Sequence, residues 1–117
     1  MKENNSDKRR FIRADFPCRI VIYGPQEHEI MSHTENIGAG GVRVIINEEL
    51  NISSVVDLEV YLDTDPVKCK GRIVWVVGKV NPITGQPRMF DTGIEFYQIS
   101  QENQEVINSL VKAIIEK

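Results

Sequence analysis

The sequence has few of the features that mark disulfide-rich or membrane-spanning proteins. Cys18 and Cys69 are the only cysteines among 117 residues. Their spacing predicts neither a zinc site nor a disulfide framework, so we expect both in or near the core. No apolar run reaches the length of a membrane span or a signal peptide. The simplest interpretation is a reduced, cytoplasmic protein without membrane insertion, and a module cut from a longer chain is the alternative.

Positive charge is also scarce, because the formal net charge is −3. A nucleic-acid-binding domain is usually basic, so we predict that the chain binds no nucleic acid. The charge is unevenly distributed: residues 1–13 contain five Lys or Arg against two Asp or Glu, and the remaining residues contain nine against fifteen. A cationic amino-terminal segment therefore precedes an acidic body.

Groups of residues that would support catalysis or metal binding are missing as well. No Ser/His/Asp or Cys/His grouping suggests a nucleophile with its base. His28 and His33 are five residues apart on a predicted strand, hence on opposite faces, and are expected to be surface residues. Asp63 and Asp65 lie in a turn that lacks the ligand series of a calcium loop. We therefore predict a protein that is not an enzyme and that has no metal and no cofactor.

The sequence does contain the pattern of an all-β domain. In residues 53–63, Val56, Leu58, Val60 and Leu62 alternate with polar residues, which is the period of a half-buried strand. Apolar segments of this kind, separated by turn residues, predict six strands without intervening helices. They are CRIVIYG, HEIMSHTENI, VRVII, SSVVDLEVYLD, VKCKGRIVWVVGKV and RMFDTGIEFYQI. The predicted fold is mainly β, a six-stranded antiparallel, split β-barrel.

The two ends of the chain differ from this pattern. Residues 1–8 are polar and aperiodic, which predicts a flexible tail, and one domain is expected over residues 9–117. A helix is predicted over about residues 101–116, because Ser100 is a suitable N-cap. Its apolar residues form a helical stripe: Val106, Ile107, Leu110, Val111 and Ile114. Within the strands, Gly71 is expected at a bend or bulge, and Trp75 and Phe96 are expected in the core.

Two short motifs stand out against this background. The segment KRRFIR places Lys8, Arg9, Arg10 and Arg13 just before the first predicted strand. Arginine binds phosphate in bidentate fashion and can donate to the O6/N7 edge of guanine, whereas a solvated basic tail is the simpler interpretation. The segment NIGAGG, residues 36–41, joins two predicted strands. Its glycines are expected to supply positive φ and to let a ligand approach the backbone, beside the amide of Asn36.

Taken together, the motifs resemble those of the PilZ domain family. Arg9 and Arg13 match its R-x-x-x-R motif, and residues 36–41 match its (D/N)-x-S-x-x-G motif except at one position. The segments GRIVWV and TGIEF also resemble strand regions of the family, as does the terminal helix. The resemblance extends from Lys8 to the C-terminus, and the spaced motifs are its specific part.

The resemblance implies a six-stranded barrel that binds the bacterial second messenger cyclic di-GMP and acts as a receptor or adaptor. Arg9 and Arg13 would then clamp the ligand from a flexible arm, and Asn36 would contact a guanine. Gly41 would keep the turn open, and Arg10 with Lys8 would assist. The arm is expected to become ordered over the ligand. The output would be either a new surface for an unknown downstream protein or a ligand-linked dimer.

Gly38 departs from the family motif, because it stands where the family has serine. The missing hydroxyl predicts weaker binding than in a relative with the full motif. One alternative function is therefore a protein-interaction adaptor of the same fold with weak or no nucleotide binding. A second is a basic-arm module whose arginines act only as charge towards anionic membranes or nucleic acid. The sequence does not choose between motility, secretion and surface polysaccharide as the controlled process.

Overall fold

The computed structural model describes residues 13–25 and 28–116. That part of the chain forms seven β-strands and one helix. In chain order they are β1 (Arg13–Ala14), β2 (Arg19–Tyr23), β3 (Glu29–Gly38), β4 (Gly41–Ile46), β5 (Val55–Tyr61), β6 (Pro66–Val80), β7 (Pro87–Gln98) and α1 (Gln101–Ile115). No helix in these two ranges is long and apolar enough to cross a membrane.

Six of the strands close into an antiparallel barrel. The order β3-β2-β5-β6-β7-β4 is closed by a further pairing of β4 with β3. This confirms the predicted fold class of a six-stranded β-barrel with a C-terminal helix. The short strand β1 is an addition that we did not predict. It pairs with the end of β3, where Arg13 lies opposite Gly38 and Ala14 opposite Ile37.

Apolar side chains, which alternate with polar ones along the strands, fill the barrel interior. On β5, Val56, Leu58 and Val60 are buried while the residues between them face outward, as the period of two predicts. Cys18 is buried and Cys69 packs against the core, which confirms their predicted place.

The helix α1 packs one side against the barrel. The hydroxyl of Ser100 caps it by accepting a hydrogen bond from the backbone N–H of Asn103 at 3.0 Å. Ile107 and Val111 of the predicted stripe are fully buried, but Val106 is 46% exposed, so its inclusion was wrong. Gln104 Nε2 donates to the carbonyl of Ala39 at 3.1 Å. This bond ties the helix to the turn between β3 and β4.

The bulge predicted at Gly71 lies on the neighbouring strand, because the partner changes from Gln98 at Lys70 to Phe96 at Gly71 and the extra residue is Tyr97 on β7. The register between β6 and β7 slips between Lys70 and Gly71, and it slips again between Ile73 and Trp75. A β-bulge bends its strand and changes which face the following side chains occupy. The second slip has a direct consequence for the functional site.

Candidate functional site

A cleft of about 250 Å³ lies on the outer face of the barrel. Strands β1, β3, β4, β6 and β7 all contribute to its lining. Charged and aromatic side chains form its sides, and three of them, Arg13, Arg43 and Trp75, can bind a planar or anionic ligand. The cleft is therefore the candidate binding site.

The pairing register explains why these residues meet. Residues directly opposite each other in antiparallel strands project from the same face of the sheet. Two neighbouring rows of such residues cross the outer face: Asn36, Arg43, Gly93 and Trp75 in the first, and Arg13, Gly38, Gly41 and Glu95 in the second. Each row has glycine in its middle. The floor of the cleft is consequently bare backbone at Gly41, whereas the indole of Trp75 lies over Gly93.

A contact between the side chains of Arg13 and Asn36 links the two sequence motifs. Both Nε and Nη2 of Arg13 donate to Asn36 Oδ1, at 2.9 and 2.6 Å. Partial desolvation lowers the pKa of the Arg13 guanidinium, which stays charged because the ordinary value lies far above neutrality. No described residue accepts a hydrogen bond from Asn36 Nδ2. The pair thus presents a fixed cation beside an amide donor.

Arg43 is a site residue that sequence reasoning missed. Its Nε and Nη2 donate to the two carboxylate oxygens of Asp91 at 2.8 and 2.7 Å. Hydrogen bonding to Arg43 lowers the pKa of Asp91 below its ordinary value and outweighs desolvation, which acts to raise it. A bidentate pair of this kind fixes the guanidinium plane. Only the polar position of Arg43 within the apolar strand VRVII could have indicated an outward role.

Trp75 lines the cleft and does not lie in the core, so that prediction was wrong. Gly71 and Ile73 point inward, and simple alternation would send Trp75 inward too. The register slip after Ile73 reverses the face, so Trp75 pairs with Gly93 and is 38% exposed. Its indole ring lies where a Cβ atom on Gly93 would stand. Phe96, by contrast, packs against the core as predicted.

Gly41 is required for a steric reason and not for its backbone angles. Of the described residues, only Ser53 and Gly85 have positive φ, so the prediction that the glycines of residues 36–41 supply positive φ was wrong. A Cβ atom on Gly41 would collide with the carbonyl oxygen of Ile94 on β7. Glycine therefore lets β4 and β7 approach closely beneath the cleft.

Replacing Gly41 by alanine is expected to destabilise the fold by about 1–3 kcal/mol, the usual cost of overpacking a tight site. The clash is with backbone, which cannot rotate away as a side chain can. Thermal or urea unfolding of the variant measures the effect. Gly24→Ala is the matched control, because the nearest atom to its added Cβ lies at 3.5 Å, an ordinary contact. Equal stability of the two variants would contradict the steric argument.

The other predicted site residues divide into two groups. Gly38 lies between Arg13 and Gly41 in the second row. Lys8, Arg9 and Arg10 lie outside the described residues, as does most of the predicted arm, whereas Arg13 is held in β1.

The histidines are surface residues as predicted. His28 precedes β3 and its Nε2 lies 2.9 Å from Glu48 Oε1, while His33 is exposed on β3. Within residues 13–25 and 28–116, no group of three or more His, Cys, Asp or Glu could hold a metal ion.

The fold and the two motifs define a family. The family model for the PilZ domain matches residues 7–113 of this chain, and the chain therefore belongs to the PilZ domain family. This confirms the resemblance inferred from residues 9–13 and 36–41. No curated protein sequence matches the chain.

Three solved structures illustrate the likeness. The inhibitor of motility MotI/DgrA from Bacillus subtilis is 20% identical with a TM-score of 0.74, covering 94% of this chain and 52% of that one. YcgR from Escherichia coli, in complex with cyclic di-GMP, is 12% identical with a TM-score of 0.73, covering 93% and 46%. MrkH of K. pneumoniae, a cyclic di-GMP-dependent transcription regulatory factor, is 12% identical with a TM-score of 0.68, covering 93% and 52%. These likenesses show the fold, and the chain spans about half the length of each protein.

Proposed function

We propose that this protein is a cyclic di-GMP receptor that acts as an adaptor, and that the ligand binds in the cleft on the outer face of the barrel. Membership of the PilZ family supports the proposal, as do similar structures that contain cyclic di-GMP. The observation that carries it is the contact between Arg13 and Asn36, beside Gly40 and Gly41 in one cleft. This contact brings together the two motifs on which the family resemblance depends.

The cleft suits the chemistry of a cyclic dinucleotide, which has two phosphates and two flat purines. Arg13, together with Arg9, would clamp a phosphate and the O6/N7 edge of a guanine. Lys8 and Arg10 would add positive charge. Asn36 would contact a guanine through its amide, and the exposed ring of Trp75 would stack on a base.

The floor of the cleft supports the same proposal. Gly40 and Gly41 line the cleft and place no side chain of their own between the ligand and the sheet, while the indole of Trp75 lies over Gly93. A flat purine can therefore approach the backbone closely. We propose that Arg9 and its neighbours close over the ligand while Arg13 remains anchored in β1. The closed segment would then form part of a surface for a partner protein, or of a ligand-linked dimer.

A binding and adaptor role, and not catalysis, is what PilZ domains have in common. Within that role the runner-up is an adaptor that binds nucleotide weakly or not at all. Gly38 favours this second function, because it removes the hydroxyl of the family motif. The predictions that the chain binds no nucleic acid and is cytoplasmic remain predictions, and MrkH shows that a protein of this fold can act in transcription.

Titration calorimetry with cyclic di-GMP, cyclic di-AMP and GMP tests the proposal. We expect cyclic di-GMP alone to give a saturable signal, because only it offers two guanine edges and a doubly charged ring. Trp75 is the only tryptophan of the chain and lines the cleft, so its fluorescence should change over the same concentration range. A flat trace at millimolar cyclic di-GMP would favour the non-binding adaptor. Equal binding of all three nucleotides would indicate charge-only recognition.

A further inference from the structure

The hairpin formed by β6 and β7 extends beyond the barrel. β5 pairs with β6 only as far as Arg72, and β4 pairs with β7 only as far as Phe90. The two strands nevertheless continue to pair with each other up to Val80. Residues 74–90, which we call the β6–β7 ribbon, therefore lack β5 as a neighbour, and beyond Gly78 and Phe90 they are two-stranded.

The β6–β7 ribbon carries an unusual share of exposed apolar side chains. Ile83 at its tip is 91% exposed, and Val77 and Val80 on β6 are both more than half exposed. Val74 and Met89 are exposed to a lesser degree. Apolar residues that cluster on one projecting element are typical of a protein-interaction site, whereas scattered ones are not.

One edge of the ribbon has unpaired backbone. From Val74 to Val80, β6 pairs with β7 on one side, and no described residue pairs with its other side. An open edge of this kind can accept an extended peptide as an additional strand, through main-chain hydrogen bonds. The edge starts at Val74 and Trp75, which also line the ligand cleft.

The charge of the ribbon indicates what the added strand should carry. Residues 73–90 contain Lys79 and Arg88 but no Asp or Glu, on a chain of net charge −3. Both cations are solvent-exposed; Lys79 Nζ lies 3.9 Å from Asp91 Oδ2, but Asp91 is buried and its carboxylate is already held by Nε and Nη2 of Arg43. An acidic partner is complementary to them. A second copy of this chain would place Lys79 opposite another cationic ribbon, and a membrane surface would reach only the tip while leaving Val74 and Val77 in water.

We propose that β6, from Val74 to Val80, is a docking edge for an extended, acidic and apolar segment of a partner protein. The segment adds as a strand next to β6, with its acidic side chains on the face that carries Lys79 and its apolar side chains on the opposite face, which carries Val80. This proposal goes beyond nucleotide binding and does not depend on it.

The probe is an eight-residue peptide of alternating Asp or Glu and Val or Ile, titrated into the ¹⁵N-labelled protein. We expect the largest amide shifts at residues 74–80, and binding about tenfold or more tighter than that of the matching Lys/Val peptide. Methylating alternate backbone nitrogens of the peptide should abolish binding, because it removes the donors of an added strand. Vesicles containing anionic lipid serve as the membrane comparison and should produce no shifts on β6.

Two double variants that lose the same charge isolate the electrostatic contribution to peptide binding. Lys79→Gln with Arg88→Gln should reduce the preference for the acidic peptide, whereas Lys68→Gln with Lys112→Gln, which removes two exposed lysines elsewhere, should not. The docking edge is refuted by shifts that map elsewhere on the barrel, by equal binding of both peptides, or by no binding at millimolar peptide.

Discussion

Replacing Arg9 and Arg13 together by lysine is expected to weaken cyclic di-GMP binding by roughly 100-fold or more, although the net charge is unchanged. The reason is geometric. A guanidinium group presents parallel donors that match two phosphate oxygens or the O6/N7 edge of guanine, and an ammonium group cannot make that pair. Two lost charge-assisted hydrogen bonds at about 1.5–3 kcal/mol each give an effect of this size.

Arg13 provides the structural part of this argument. It donates from two nitrogens to the single oxygen Oδ1 of Asn36, so lysine at this position would also release Asn36. Arg19→Lys is the matched control, because Arg19 stacks on Tyr61 at 4.3 Å and does not line the cleft. Calorimetry on the two proteins measures the difference. If the double variant binds as tightly as the control, the arginines act only as charge, and bidentate recognition is excluded.

The spacing of apolar residues was sufficient to predict the barrel, but not to predict for every strand which side chains point inward. The alternation on β5 and the helical positions Ile107 and Val111 follow directly from period two and period 3.6. For Trp75, the alternation of side chains predicts the wrong face of the strand. A single register slip between Ile73 and Trp75 reverses inside and outside, and the amino-acid sequence carries no sign of it except a run of β-branched residues.

The site was predictable in part for a related reason. Arg13, Asn36 and Gly41 belong to spaced motifs, so they could be found from sequence, and they do line one cleft. Arg43 and Gly93 enter the cleft only because β4, β7 and β6 pair in one particular register. Pairing between strands fifty residues apart is a long-range property, which local patterns cannot specify. The strand β1 was missed because a segment of two residues is too short to show an alternation of apolar and polar side chains.

Gly38 stands where the family motif has serine, so restoring the serine should increase the affinity for cyclic di-GMP. Gly38→Ser is expected to tighten cyclic di-GMP binding by roughly 10- to 100-fold, because a hydroxyl that hydrogen-bonds to a charged group contributes about 1.5–3 kcal/mol. Gly38 pairs with Arg13 on one side and Gly41 on the other. A side chain at this position would therefore project from the same face as Arg13 and Gly41, which line the cleft, although Gly38 itself is buried and lies at the margin of that lining.

The backbone of Gly38 does not stand in the way of this substitution. Ser53 and Gly85 are the residues with positive φ in the described part of the chain, so position 38 has angles that a residue with a side chain can adopt. Gly38→Ala is the matched control, since it adds the Cβ atom without the hydroxyl and should not tighten binding. Calorimetry compares the three proteins, and unfolding curves show whether stability differs. If serine binds no tighter than alanine, the missing hydroxyl does not limit affinity, and a weak or absent response of the wild-type protein must have another cause.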